Sequence, residues 1–366
     1  MPKSILALCF VLAMANWKIS FSRIPRLMWG FVAFLGAELS RGLFLDPFLQ
    51  SDFLLLFGRM IEMLLLFWLS YNLFLDDHRL LRRSMAAYAV SCVLLSTLLA
   101  SGVLAEDYQN TGRASTFGTN PNTVGGLLAL GFTILAAYLL ASRRWWLRTG
   151  AVPAMVLVGK AILETGSRGA MVTAFVGLAV CALFSLIQGT VLQRAASLLV
   201  MMAIVVVATA AITRSELVYN RWQAAIHNPD LGGRQEIYPA ALGMMIERPL
   251  FGWGPVSSLY ELNDRAMYAE YMYRVGGTRG AHNMILGMLL DVGVVGTLPY
   301  LITIWIILRR AYHARYLTGN VLPLALFLCV MVINMSDDWQ ILSAQWLVFA
   351  IAAASAEIKT GAFQRS

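Results

Sequence analysis

The sequence predicts an all-α, polytopic membrane protein with about eleven to twelve transmembrane helices and one long polar loop that contains short helices. Hydrophobic residues make up 59% of the 366 residues, charged residues make up 13%, and the mean hydropathy is +0.67. This composition is too apolar for a water-soluble domain. The apolar runs are continuous rather than alternating, which favours helices over a β-barrel.

About eleven apolar segments recur along the chain. They lie near residues 4–17, 27–45, 53–75, 84–104, 124–141, 149–163, 169–187, 195–213, 284–307, 321–334 and 340–357. We therefore expect one membrane domain with three regions: N-terminal helices over 1–213, a long loop over 214–283, and C-terminal helices over 284–366.

The formal net charge of +8 is explained by the position of the basic residues and does not indicate a nucleic-acid partner. Alternate connections are rich in Lys and Arg, whereas the opposite short connections hold only Lys3, Arg113 and Arg168. By the positive-inside rule the basic connections are cytoplasmic. We therefore expect the loop 214–283 and the His282 end of the helix that follows it to lie on the outer face of the membrane, with membrane lipids around the helices.

The sequence offers no sign of metal or cofactor chemistry. All four cysteines, Cys9, Cys92, Cys181 and Cys329, fall inside apolar segments, so neither a disulfide framework nor a thiolate metal site is indicated. There is no phosphate-binding Gly-rich loop, no H-E-x-x-H motif and no Ser nucleophile elbow. We expect no metal and no cofactor.

Two pairs of charged residues interrupt the apolar segments: Glu38 with Arg41, and Arg59 with Glu62. Each pair is three residues apart and so shares one helix face. Because charge is costly at membrane depth, we expect each pair to form an ion pair, the alternative being that the charges face a polar cavity.

Two short connections on the outer side carry candidate binding residues. Near 105–123, Gly118 and Pro121 predict a turn, with Asn122 or Thr123 as the N-cap of the next helix, and Arg113 and Asn122 are candidate ligand contacts. The second connection, L-E-T-G-S-R-G-A at 163–170, is a tight hairpin that Gly166 and Gly169 permit. Its Arg168 opposes the positive-inside preference, so we expect an anionic partner, the alternative being snorkelling to the interface.

The stretch 280–297, G-A-H-N-M-I-L-G-M-L-L-D-V-G-V-V-G-T, joins the long loop to an apolar helix. His282 at the first turn would lie near the positive end of the helix dipole, which favours the neutral imidazole and keeps a base available. Gly293 and Gly296 would let a neighbouring helix approach closely and so hold His282 in place. The alternative is a histidine that only hydrogen-bonds at the interface.

The long loop contributes further candidates. It is rich in aromatic residues, which stack on sugar rings but are also common at membrane interfaces. Arg274 and Arg279 precede His282 and are either part of the same pocket or solvated loop charges. Asp337-Asp338-Trp339, between the last two segments, either orients His282 or an acceptor hydroxyl, or is a polar loop tip.

These motifs resemble those of the O-antigen ligase and O-antigen polymerase family. The family pattern is His, then Asn, Ser or Gln, nine residues, Gly, two residues, Gly, then Thr or Ser, and residues 282–297 meet every defined position. G-S-R-G-A at 166–170 and the run from Gly233-Arg234 to P-L-F-G-W-G at 249–254 are also similar. The resemblance covers roughly residues 110–300.

The resemblance implies a membrane glycosyltransferase of the bacterial inner membrane that takes a glycan from undecaprenyl diphosphate. It implies that Arg168 and Arg234 contact the diphosphate and that His282 is the base. Arg113, Asn122, Arg274, Arg279 and Asn283 are the candidate substrate-binding residues. The acceptor is lipid A core, a growing O-antigen or exopolysaccharide, or a pilin.

The chain also departs from the family pattern. Tyr238-Pro239 stands where the family often has Trp, which predicts that the local helix begins later. Because the family usually has about twelve spans with both ends cytoplasmic, the resemblance implies that one helix is missing from the start.

Two other function classes remain open. A transporter or flippase of lipid-linked oligosaccharide would place its decisive charges near the bilayer midplane, as with Arg59 and Glu62, although the sequence shows no internal repeat. A noncatalytic scaffold of polysaccharide assembly would tolerate replacement of His282.

Overall fold

The computed structural model describes residues 13–108, 111–142, 144–188, 190–214, 218–220, 223, 234–266 and 280–357. Arg274, Arg279 and most of the predicted segment 4–17 lie outside this part of the chain. The helices are α1 (Trp17–Ser20), α2 (Met28–Gly42), α3 (Pro47–Asp76), α4 (His78–Ala100), α5 (Pro121–Ala141), α6 (Trp145–Glu164), α7 (Arg168–Gln188), α8 (Val191–Arg214), α9 (Arg234–Glu247), α10 (Ser257–Arg265), α11 (Met284–Thr318), α12 (Leu322–Ile333) and α13 (Ser343–Ser355).

The predicted fold class is confirmed: the chain is an all-helical, polytopic membrane protein. Each predicted segment from 27–45 onwards coincides with one helix. In the described part of the chain, six helices are long and apolar enough to cross a membrane, namely α3, α4, α5, α6, α7 and α11. Helices α12 and α13 are apolar but shorter.

The chain forms two compact units. Unit 1 comprises residues 1–82, 236–319 and 338–366, and unit 2 comprises residues 83–235 and 320–337. In unit 1, α2 packs on α11, and Phe31 of α2 makes edge-to-face contacts with Phe67, Tyr300 and Trp346. In unit 2, α5 is the central helix and packs on α6, α7 and α12.

The connection before α5 contains a two-residue antiparallel ladder, β1 (Glu106–Asp107) with β2 (Ala114–Ser115). The turn that follows differs from the sequence prediction, because the N-cap of α5 is Asn120 rather than Asn122 or Thr123. The Asn120 side chain accepts a hydrogen bond from the Asn122 N–H at 2.9 Å, and Pro121 takes the first helical position. Proline suits that position because it has no N–H to satisfy.

The predicted ion pairs within α2 and α3 are wrong. Arg41 instead donates to the carbonyl oxygen of Gly252 at 3.2 Å, and the buried carboxylate of Glu38 has no hydrogen-bond partner. Arg59 and Glu62 are exposed and form no ion pair with each other. Spacing along a helix places two charges on one face, but a long arginine side chain also reaches acceptors outside its own helix.

Candidate active site

The hairpin between α6 and α7 holds Arg168 at the first residue of α7. Gly166 has φ +59°, a left-handed conformation that favours glycine, so its predicted role in the turn is confirmed. The hydroxyl of Ser167 accepts a hydrogen bond from the N–H of Ala170 at 3.3 Å and thereby caps the helix. Thr165 and Ser167 are buried, whereas Arg168 is half-buried.

Arg113 is buried and braces this hairpin from the β1–β2 connection. Its Nε donates to the carbonyl oxygen of Thr165 at 2.9 Å, and its Nη2 donates to the side-chain oxygen of Asn122 at 2.8 Å. The structure thus brings Arg113 and Asn122 together, but as partners of each other and of the hairpin main chain. A substrate contact by either residue stays a prediction.

Arg234, the first residue of α9, is linked to the start of α7 through Ser336. Its Nη2 donates to the carbonyl oxygen of Ser336 at 2.7 Å. Gly169, next to Arg168, packs against the same serine, because a Cβ at position 169 would lie 3.3 Å from the Ser336 Cβ. Gly169 is therefore a close-packing glycine within α7 rather than a turn glycine. Ser336 is the shared neighbour of the two segments that carry the candidate diphosphate arginines.

Helix α9 begins at Arg234, so the prediction of a later start after Pro239 is wrong. Pro239 lies within the helix, where its missing N–H removes one main-chain hydrogen bond and its ring crowds the carbonyl group four residues earlier. Helix α9 has apolar residues on both of its faces. It buries Ile237, Ala241 and Met244, and it exposes the apolar Leu242 and Ile246.

His282 lies just before α11, and its backbone adopts φ +48°. This left-handed conformation is uncommon for a residue with a side chain and is often found at functional positions. Asn283 is the N-cap of α11, with its side-chain oxygen accepting from the Leu286 N–H at 3.1 Å. His282 is therefore one residue outside the helix rather than in its first turn. A substrate contact by Asn283 stays a prediction.

Helix α11 is interrupted at Gly293, which has φ 64° and ψ −170°. In a continuous helix the N–H groups of Val294 and Val295 would bond to the carbonyl groups four residues earlier, at Leu290 and Asp291. Here they donate to other carbonyl oxygens, Val294 to Pro249 at 2.9 Å and Val295 to Leu250 at 3.1 Å.

The carbonyl groups that this break leaves are also paired. The oxygens of Leu290 and Asp291 accept from the N–H groups of Trp253 at 2.7 Å and Gly254 at 2.8 Å. The segment 249–254, here called the crossing segment, therefore replaces two helical hydrogen bonds with four bonds of its own. The P-L-F-G-W-G run and the histidine motif, which lie apart in the sequence, are parts of one structural feature.

The glycines of both motifs make this crossing possible. A Cβ at Gly252 would lie 2.6 Å from the carbonyl oxygen of Leu290, and a Cβ at Gly293 would lie 2.5 Å from the nitrogen of Phe251. The neighbour of Gly293 is therefore a loop segment and not the helix that the sequence predicted. The prediction is confirmed for Gly296, where a Cβ would lie 2.9 Å from the Cβ of Ala37 in α2.

Three carboxylates of unit 1, those of Glu38, Asp291 and Asp338, are neighbours, and the sequence did not predict this grouping. Asp291 accepts a hydrogen bond from the Ser258 hydroxyl, and Glu38 is an electrostatic neighbour of both Asp291 and Asp338. Asp338 faces α11 one turn above Asp291, 3.6 Å from where a Cβ of Gly287 would lie. The signal available in the sequence was an acidic residue inside an apolar helix, nine residues after His282. In the described residues no group of three or more His, Cys, Asp and Glu is arranged to hold a metal ion.

An ion-pair group fastens α9 to α10. Arg265 donates to Glu247 at 2.8 Å and to Glu261 at 2.7 Å, and its guanidinium lies 4.7 Å from the ring centre of Trp253. The hydrogen bond from Arg265 lowers the pKa of Glu247 below its ordinary value of 4.5, and the bonds to Glu247 and Glu261 raise the pKa of Arg265. Trp253 belongs to the crossing segment, so this group also steadies the α11 break.

The comparison with known families covers most of these features. Residues 153–301 match a family model described as O-antigen ligase. The matched range includes Arg168, Arg234, the crossing segment and His282, but not Arg113 or Asn122. No curated protein matches the chain. The chain therefore carries an O-antigen ligase family domain over residues 153–301, within a multi-pass membrane protein.

Proposed function

We propose that the chain is a glycosyltransferase that moves a glycan from undecaprenyl diphosphate to a hydroxyl of an acceptor sugar on the periplasmic face of the inner membrane. The match of residues 153–301 to the O-antigen ligase family model supports a lipid-linked glycan as substrate. The acceptor is lipid A core or a growing O-antigen or exopolysaccharide. The observation that carries the proposal is the left-handed backbone of His282, the histidine of the motif at 282–297, inside the matched range.

The reaction is a single displacement with inversion and needs no metal. The acceptor oxygen attacks the anomeric carbon as the bond from that carbon to the diphosphate oxygen breaks. His282 takes the proton of the acceptor hydroxyl, and undecaprenyl diphosphate leaves with the bonding electrons.

Arg168 and Arg234 bind the diphosphate and stabilise the negative charge that develops on it. A planar guanidinium matches two phosphate oxygens at once, which suits this leaving group. Two structural features support this role for the two arginines. Arg168 occupies the first residue of α7, where the helix N-terminus favours anions, and Arg234 is fixed by its bond to Ser336.

The experiment uses purified protein in nanodiscs with an undecaprenyl-diphosphate oligosaccharide and candidate acceptors. Release of undecaprenyl diphosphate is compared for wild type, His282→Ala and His313→Ala. His313 is a matched control because it is an exposed histidine at the opposite end of α11. We expect wild type and His313→Ala to release product and His282→Ala to be strongly impaired. Equal release by all three proteins would remove His282 from the mechanism.

The same assay separates transfer from transport. A glycosyltransferase yields undecaprenyl diphosphate and a lengthened acceptor, whose identity names the acceptor class, whereas a flippase yields neither. Substitution of Arg168 should abolish product, while substitution of Arg59 should not. No product from wild type, together with loss of oligosaccharide movement in Arg59→Ala in a separate flipping assay in sealed vesicles, would overturn the proposal.

A further inference from the structure

We propose that Leu242, Ile246, Leu250 and Phe251 form an apolar surface that inserts into the lipid leaflet at the Met284 end of α11. Part of the long loop would then be embedded in the bilayer rather than surrounded by water. These side chains are 49%, 75%, 57% and 58% exposed. The inference does not depend on the proposed glycosyl transfer.

Between its charged ends, helix α9 is apolar on both of its faces. One face, with Ile237, Ala241 and Met244, is buried against α10 and α11. The other face presents Leu242 and Ile246, and no charged residue lies between positions 237 and 246. The charged residues Arg234, Glu236 and Glu247 lie at the two ends of α9, and the stretch between them, which is apolar on both faces, needs an apolar environment on both. Unit 1 provides that environment on the buried face only.

The turn at 249–251 is continuous with the exposed apolar surface of the membrane-spanning helix α11. The carbonyl oxygen of Leu250 accepts from the Val295 N–H at 3.1 Å, so the turn at 249–251 lies directly on α11. From this point α11 exposes a stripe of apolar residues at helical spacing, namely Val294, Val295, Leu298, Ile302 and Trp305. The lipid that covers this stripe also reaches Leu250 and Phe251, because they lie at its upper end.

The depth of the turn at 249–251 in the bilayer follows from its position along α11. Arg309 is exposed on α11, so it marks the far edge of the hydrocarbon region. A hydrocarbon core of about 30 Å corresponds to about 20 helical residues. Counting back from Arg309 places the near edge of the core about one turn before Gly293. The turn at 249–251 therefore lies roughly 5 to 10 Å into the leaflet, the depth at which interfacial helices lie.

The main chain of the turn suits this depth. Irregular backbone at membrane depth must have its polar groups paired by protein. Pro249 has no N–H, and its carbonyl oxygen accepts from Val294 at 2.9 Å. The carbonyl oxygen of Leu250 and the N–H groups of Trp253 and Gly254 are also paired with α11, and the N–H of Gly252 donates to the carbonyl oxygen of Arg248 at 3.2 Å.

The test measures local depth in the full-length protein reconstituted in bilayers. Nitroxide labels are placed through Leu250→Cys and Phe251→Cys, in a background whose native cysteines are replaced by alanine. Leu298→Cys is the lipid-facing reference, and Asp264→Cys, at an exposed position of α10, is the water-facing reference. We expect labels at 250 and 251 to be relaxed by oxygen and protected from a water-soluble nickel chelate, as at 298. Accessibility like that at 264 would overturn the proposal.

A second measurement avoids the cysteine-free background. A photoreactive benzoylphenylalanine replaces Phe251 in the otherwise native chain, with the same replacement at Trp305 as the lipid-facing reference. We expect irradiation in vesicles to form lipid adducts at both positions. Adducts to a second copy of this chain, or no lipid adduct at position 251 while position 305 reacts, would show another occupant and contradict the proposal.

Discussion

The main chain of Leu250 crosses α11 so closely at Gly293 that position 293 has no room for a side chain. This contact explains a glycine that the sequence pattern alone assigns to helix packing. It also connects the loop that follows Arg234 to the helix that follows His282.

Replacing Gly293 by alanine should destabilise the protein. The left-handed backbone costs about 1 to 3 kcal/mol for a residue with a side chain, and overlap with the crossing segment adds to this cost. Gly287→Ala is the matched control, because its Cβ would have only an ordinary contact and alanine favours a helix. Thermal unfolding in detergent measures both. A Gly293→Ala protein as stable as Gly287→Ala would contradict the crossing.

Replacing Arg113 by lysine should reduce stability. Lysine keeps the charge but cannot donate to both the Thr165 carbonyl and the Asn122 side chain. Each buried group left unsatisfied costs about 1 to 3 kcal/mol. A double-mutant cycle with Asn122→Ala, followed by thermal unfolding, isolates the contact. Strictly additive effects would show that the two side chains do not depend on each other.

Replacing either Arg168 or Arg234 by lysine should weaken use of the donor. The lysine ammonium keeps its attraction to a diphosphate but loses the bidentate fork. We expect kcat/KM to fall about tenfold or more, which corresponds to about 1.4 kcal/mol or more. Arg83→Lys, at an exposed position on α4, is the control. Steady-state kinetics with varied donor measures the change. Wild-type kinetics in both variants would remove the arginines from diphosphate recognition.

The Glu247–Arg265 contact should make stability depend on pH in the acid range. Because the hydrogen bond lowers the pKa of Glu247 in the folded protein, its stabilising contribution is complete above 4.5 and is lost as the pH falls below that value through the lowered pKa. Glu247→Gln should remove this part of the acid dependence. Glu236→Gln, which removes an exposed carboxylate in the same helix, should retain it. Unfolding curves recorded from neutral to acid pH compare the three proteins.

The sequence was sufficient for the helices but not for their contacts. Hydropathy located helices α2 to α8 and α11 to α13, because burial in lipid requires a continuous apolar run, but it did not locate α9 and α10 in the long loop. The ion pairs within α2 and α3 were wrong, since the actual neighbour of Arg41 is Gly252, more than two hundred residues away. The N-cap of α5 was wrong by two residues because several adjacent Asn and Thr residues suit the same position.

In the candidate site, too, the sequence predicted local structure but not the contacts between distant segments. The motif at 166–170 predicted a tight turn with Arg168 at the start of a helix, and both features are present. Ser336 was not predicted, because it acts through its main-chain oxygen, which every residue type has. The break at Gly293 was also hidden, since a glycine in an apolar helix is equally compatible with close helix packing.

The shared hydrogen bonds between 249–254 and 290–295 restrict how this domain can be recombined with its relatives. A chimera that exchanges the loop but retains the native helix would pair a foreign turn with carbonyl groups spaced for the original one. Substrate-specificity swaps between family members should therefore transfer both segments together, even though some forty residues separate them in the chain.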